Sequence, residues 1–184
     1  MPLNFRAAIT EHQTTFNALA ALEPALLAAV DMMQATFARE GVVYVCGNGG
    51  SAADAQHFAA ELTGRFERDR RGYASVALTT DTSALTAIGN DYGFDRIFSR
   101  QLESLGRKGD ALIAISTSGN SGNIIAAVEL ARQKGIGTIG LLGRDGGALA
   151  KLVDVPLVVP GQRTSRIQEA HIFILHCLCE PYEV

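Results

Sequence analysis

The chain has 184 residues, 47% of them apolar, which suits one α/β domain with a sizeable core. Its 16 Lys and Arg against 19 Asp and Glu give a formal charge of −3; the densest basic run, Arg65 to Arg71, is interrupted by Glu67 and Asp69 and reads as solvated helix-end surface, which argues against a dedicated nucleic-acid face. Three cysteines without framework spacing, no secretory signal, and no apolar stretch near the roughly 20 residues that span a bilayer make a reducing cytoplasm the expected setting.

In chain order, two amphipathic helix patterns come first, Phe5 to Leu19 and Pro24 to Arg39, parted near Glu23-Pro24 and closed by Gly41. Their apolar faces have little sheet left to cover, so residues 1–40 are expected to form a helical extension used in oligomer packing. Strand-like runs follow at Val42 to Cys46, Ser75 to Thr79, Ala111 to Ile115, Thr138 to Leu142 and Val155 to Val159, each separated from the next by a helical segment. The expectation is a three-layer, doubly wound, five-stranded parallel sheet in one domain spanning 1–184. Ligands of such sheets collect at the carboxyl ends of the strands.

Two loops stand at those ends. Gly47-Asn48-Gly49-Gly50-Ser51 joins the first strand to a helix. Its glycines allow close backbone approach, Ser51 can cap the helix, and the helix N-terminus favours an anion, most often phosphate. Ala52 stands where a dinucleotide fingerprint needs its third glycine, and no Gly-Lys-Ser/Thr follows, so both nucleotide readings lose ground. The plain alternative is a strand-to-helix turn whose glycines serve geometry alone. The second loop, Ser116-Thr117-Ser118-Gly119-Asn120-Ser121, opens the helical run Ile124 to Lys134. Four hydroxyls around a glycine exceed what a cap requires, and with backbone amides they can surround a phosphate without positive charge. Between the loops, His57 and Glu61 lie one turn apart on one helix face, as acid–base groups, metal ligands or a surface ion pair.

Five segments together resemble the sugar isomerase (SIS) domain, and within it the phosphoheptose isomerases: Cys46 to Ser51, Asp54 to Leu62, Gly89 to Phe94, Ile115 to Ser121, and Arg166-Ile167-Gln168-Glu169 followed by His176. The resemblance covers nearly the whole chain. It implies a homotetramer that converts D-sedoheptulose 7-phosphate to D-glycero-D-manno-heptose 7-phosphate, on the way to the heptose of bacterial lipopolysaccharide. It also implies Glu61 and His176 as the acid–base pair, and sugar-phosphate contacts from Asn48, Gly49, Gly50, Ser51, Glu61, Asn90, Asp91, Ser116, Thr117, Ser118, Ser121 and Gln168. In some members His57, Glu61, Gln168 and His176 hold zinc. Ser165 departs from an acidic residue that some of these isomerases carry, which puts that contact in doubt. Arg65, one turn beyond Glu61, faces either the pocket or solvent.

Gln168 and His176 are eight residues apart on one expected helix, about 12 Å along its axis. One metal can scarcely bridge them within a chain, so a shared site would take one of them from a neighbouring subunit. His171 reads as a packed helix residue, His12 as surface, Cys46 as a small hydrophobe, and Cys177 and Cys179 as diverging. Two alternatives stay open: a non-catalytic regulator similar to the DnaA initiator-associating protein, whose tail resembles Cys177-Leu178-Cys179-Glu180 but which lacks the acid–base pair, and an isomerase of another phosphosugar.

Overall fold

The five apolar runs become five parallel strands in a computed structural model that describes residues 4–183. They are β1 (Val43–Gly47), β2 (Ser75–Ala77), β3 (Ala111–Ser116), β4 (Gly137–Gly143) and β5 (Val155–Val159), ordered β2-β1-β3-β4-β5. Strands β1 and β3 are buried along their whole length, which is why they read as continuous apolar runs. The edges differ: β2 has only three residues, and Pro156, with no amide proton to give a ladder, sits on β5.

Among the described residues the helices are α1 (Phe5–Ala18), α2 (Glu23–Ala38), α3 (Gly50–Thr63), α4 (Thr82–Tyr92), α5 (Ser99–Leu105), α6 (Gly122–Lys134) and α7 (Thr164–Cys179). Successive strand residues serve opposite layers, because side chains alternate across a sheet. Val45, Ile113 and Leu141 pack with Met33 of α2, Phe58 and Leu62 of α3 and Leu175 of α7. Their neighbours Tyr44, Leu112 and Leu142 pack with Leu102 of α5 and Ile124 and Val128 of α6. Because the chain runs outward from β1 to β2 and then returns to β3 on the other side of β1, the order reverses between β1 and β3. A crevice opens there at the carboxyl edge, flanked by the starts of α3 and α6.

Three sequence expectations change. The residue that turns the chain after α2 is Glu40, in the left-handed region at φ 60°, rather than Gly41. Gly41 is needed for space, since a Cβ there would lie 2.9 Å from Thr36 Cγ2. The basic run is a loop, and Arg70 within it is not solvated: its side chain is 4% exposed. Arg70 Nε donates to Glu183 Oε1 at 2.8 Å, and its Nη atoms donate to Glu61 O at 2.9 Å and to Leu62 O at 3.1 Å at the end of α3, where Leu62 O also accepts from Tyr73 N at 2.9 Å. Amides of Arg68 and Glu67, together with Arg70, hold the Glu183 carboxyl below its ordinary pKa. Finally, the helical run Phe5–Ala38 is long and apolar enough to cross a bilayer, contrary to the reading from composition. It is broken by a 3-10 turn at Leu19–Leu22 and buries Leu19, Ala29 and Met33 in the core, while Phe5, Ile9 and Leu27 remain exposed.

Candidate active site

The glycine turn is shaped by steric need. Gly49 precedes α3 at φ 58°, and a Cβ on Gly47 would lie 2.5 Å from Ser51 O. Asn48 O accepts from Ser51 N at 3.1 Å, and Gly49 O from Ala52 N at 3.0 Å, so the chain is helical immediately after Gly49. Ser51 therefore lies inside the first turn, buried, and does not cap the helix as its position in the sequence had implied. Gly50 gives room to Gln168: an added Cβ would meet Gln168 Nε2 at 2.4 Å.

Across the crevice, Ser116 Oγ and Ser121 Oγ share a hydrogen bond at 3.0 Å, which ties the two ends of the hydroxyl loop together. Ser118 Oγ accepts from Asn120 N at 3.2 Å, and Thr117 and Ser118 are half-buried. Gly119 is the loop's fixed point. Its φ is 66°, its carbonyl accepts from Leu149 N at 3.0 Å, and a Cβ would fall 1.9 Å from Gly146 O. Ser121 precedes α6 without a side-chain cap, so its hydroxyl stays committed to Ser116.

One residue that sequence reasoning missed joins the two loops. Asn48 Nδ2 donates to Asn123 Oδ1 at 2.8 Å, and Asn123 Nδ2 donates back to Asn48 Oδ1 at 2.8 Å. Asn123 is 2% exposed. The available signal was a strongly polar side chain in the first turn of a helix, on the face that also carries buried Ile124 and Ala127.

Gly50, Asp54, His57 and Glu61 follow one stripe of α3 at spacings of four, three and four. Helix α7 lies alongside, with Gln168 against Gly50 at one end and His176 against His57 further down, so the helices run parallel. His57 Nε2 lies 2.9 Å from Glu61 Oε1 and 3.4 Å from His176 Nε2, and one donor atom from each of the three falls within 4.8 Å of the others. Gln168 lies against Gly50, about two turns of α3 before His57, in keeping with the eight residues that separate it from His176. Asp54, between the two ends, has a buried carboxylate oxygen without a partner; burial raises its pKa and His57 opposes that.

The remaining candidates are placed as follows. Asn90 and Asp91 are exposed near the end of α4, with Asn90 Nδ2 donating to Asp91 Oδ1 at 2.8 Å; among the described residues neither bonds to either loop. Arg65 is exposed and donates to Glu67 O. His171 is fully buried, bonded to Leu142 O at 3.0 Å. His12 is half-buried, with Nδ1 2.9 Å from Glu169 Oε2. Cys177 is half-buried, and burial pushes the Cys46 and Cys179 thiols up to about 12, so both are inert.

Comparison with known proteins bears on the whole arrangement. The SIS domain profile matches residues 4–143. The phosphoheptose isomerase of Bordetella avium is 54% identical over 183 residues, covering 98% of this chain and 91% of that protein. The chain belongs to the phosphoheptose isomerase family of SIS domains. The enzyme of that name from Helicobacter hepaticus is 57% identical over 162 residues, covering 88% of this chain and 83% of its own. The solved structure of the phosphoheptose isomerase from Neisseria gonorrhoeae superposes with a TM-score of 0.91 at 49% identity, over 96% of this chain and 95% of the other. The five-stranded order and the helices on both faces are those of this family.

Proposed function

We infer that the chain isomerises D-sedoheptulose 7-phosphate to D-glycero-D-manno-heptose 7-phosphate, as part of heptose supply for lipopolysaccharide in the cytoplasm. The observation that carries this reading is the convergence of Glu61 and His176, with His57, on the α3–α7 groove. Aldose–ketose exchange moves one carbon-bound proton from C1 to C2 and one hydroxyl proton from O1 to O2, through an ene-diolate, with no net oxidation. A carboxylate and an imidazole in one pocket can carry both transfers, each switching between base and acid. The phosphate is taken by the crevice, where two helix N-termini, the glycine turn and the hydroxyl loop offer uncharged donors. Asn90, Asp91 and Gln168 complete the sugar contacts.

The donor set of His57, Glu61 and His176 suits zinc: two nitrogens and one carboxylate oxygen leave a fourth position open, as in catalytic sites. Their separations of 2.9 and 3.4 Å are near the roughly 3.3 Å edge of a tetrahedron with 2.0–2.1 Å ligand bonds. Bound there, the ion would polarise the sugar carbonyl. Gln168, packed against Gly50 of its own chain, would reach such an ion from a neighbouring subunit. Together with the exposed Phe5, Ile9 and Leu27 on the N-terminal helices, that geometry supports a homotetramer with pockets at its interfaces.

Incubation with sedoheptulose 7-phosphate in heavy water, followed by proton NMR, should show deuterium entering at the carbon beside the carbonyl. Phosphosugar binding with no exchange would defeat the isomerase reading and favour a regulator. Elemental analysis of protein purified without chelator should find stoichiometric zinc, and its absence, with activity unaffected by chelation, would remove the metal.

A further inference from the structure

We propose that Asn123 is a positioning residue of the phosphate crevice, acting through Asn48 by fixing the carboxamide of that residue and the gap between the two anion-binding loops. The proposal rests on the phosphosugar reading above and adds a residue that lies outside the glycine turn and the hydroxyl loop.

The reciprocal pair is specific in a way that one hydrogen bond is not. Each carboxamide gives one N–H and accepts at one oxygen, both at 2.8 Å. Rotating either amide by half a turn would set N–H against N–H and oxygen against oxygen, so each side chain fixes the orientation of the other. Asn123 is buried and cannot exchange its partner for water, whereas Asn48 is half-buried at the crevice. The burial difference sets the direction of control: Asn123 is the anchor, and the unused N–H and lone pair of Asn48 are what the crevice presents. The pair also crosses the point where the sheet order reverses. Asn48 follows β1 at the start of α3, and Asn123 lies in the first turn of α6 behind β3; these helices belong to opposite layers. The pairing of β1 with β3 runs as far as Gly47 and Ile115, and beyond it the Asn48–Asn123 pair links the two helix N-termini directly, so that a phosphate held by both keeps both sets of donors in place.

A residue that acts only through Asn48 should be silent once Asn48 is gone, which a merely structural asparagine would not be. The test measures kcat and KM for sedoheptulose 7-phosphate in the parent protein, Asn123→Ala, Asn48→Ala and the double variant, with inorganic phosphate binding followed by calorimetry. Asn123→Ser, which keeps one donor, serves should the alanine variant fail to fold. The expected result is a rise in KM of about tenfold for Asn123→Ala with kcat changed by less than about threefold, a matching loss of phosphate affinity, and no further loss in the double variant over Asn48→Ala. A KM within about twofold of the parent, or losses that multiply in the double variant, would overturn the proposal. Should the parent turn over no heptose phosphate at all, the isomerase reading fails alone, and the phosphate titrations still decide the role of Asn123.

Discussion

At the crevice between β1 and β3, amides and hydroxyls satisfy one another: Asn48 with Asn123, Ser116 with Ser121. On the groove between α3 and α7, His57, Glu61 and His176 hydrogen-bond through their side chains only among themselves in the described residues, and the side chains of His57 and Glu61 are 47% and 22% exposed. A single chain thus finishes the proposed anion cradle and leaves the proposed proton-handling cluster open. The difference teaches that recognition and chemistry have separate structural requirements here. Uncharged donors work only when prealigned, so they are cross-linked to one another, whereas acid–base groups must reach both substrate and solvent.

The sharpest way to test that separation is Glu61→Gln or His176→Gln. Each should lower kcat by about 100-fold or more while inorganic phosphate binds as in the parent, because the crevice is untouched. Steady-state kinetics and calorimetry read the two halves independently, and loss of phosphate affinity in either variant would merge them into one unit.

Much of this division was legible in the sequence. The glycine turn, the hydroxyl loop and the His57–Glu61 stripe follow from local rules of turn and helix geometry, and β1 and β3 announce themselves as unbroken apolar runs. What was not legible depends on which residues meet across layers. Asn123 looks like ordinary helix polarity until Asn48 is seen opposite it. Arg70 looks like surface charge until Glu183 closes over it. Gly119 passes for a loop spacer until Gly146 O is found where its Cβ would be. Ser51 was misjudged for a local reason, since the positive φ of Gly49 starts the helix earlier than the cap rule allows.

The crevice wall should break next. Gly119→Ala combines a left-handed φ with a clash against backbone, so it is expected to cost roughly 3 kcal/mol or more and to lower Tm by about 6–12 °C. A scanning-calorimetry shift under about 2 °C would mean that the loop relaxes freely and the wall is less rigid than its contacts imply.

The third effect is seen only in acid. His171 is buried, its Nδ1 has no partner, and burial pushes its pKa down to about 4 despite the bond to Leu142 O. The unfolded chain takes up that proton near pH 6.5 and the folded chain only near 4, so the contribution is intact above about 6.5 and is lost as pH falls towards 4, up to roughly 3 kcal/mol. His171→Gln, which keeps a donor for Leu142 O and cannot titrate, should flatten the urea midpoint across that window. An unchanged slope would assign the acid sensitivity to other groups.

Arg70 and Glu183 give the molecule a clasp. Glu183 pins the segment that leaves α3 by taking the amides of Glu67 and Arg68, and Arg70 carries that grip onto the carbonyls of Glu61 and Leu62. A lesion in the final turn would therefore be felt as play in the helix end that bears Glu61.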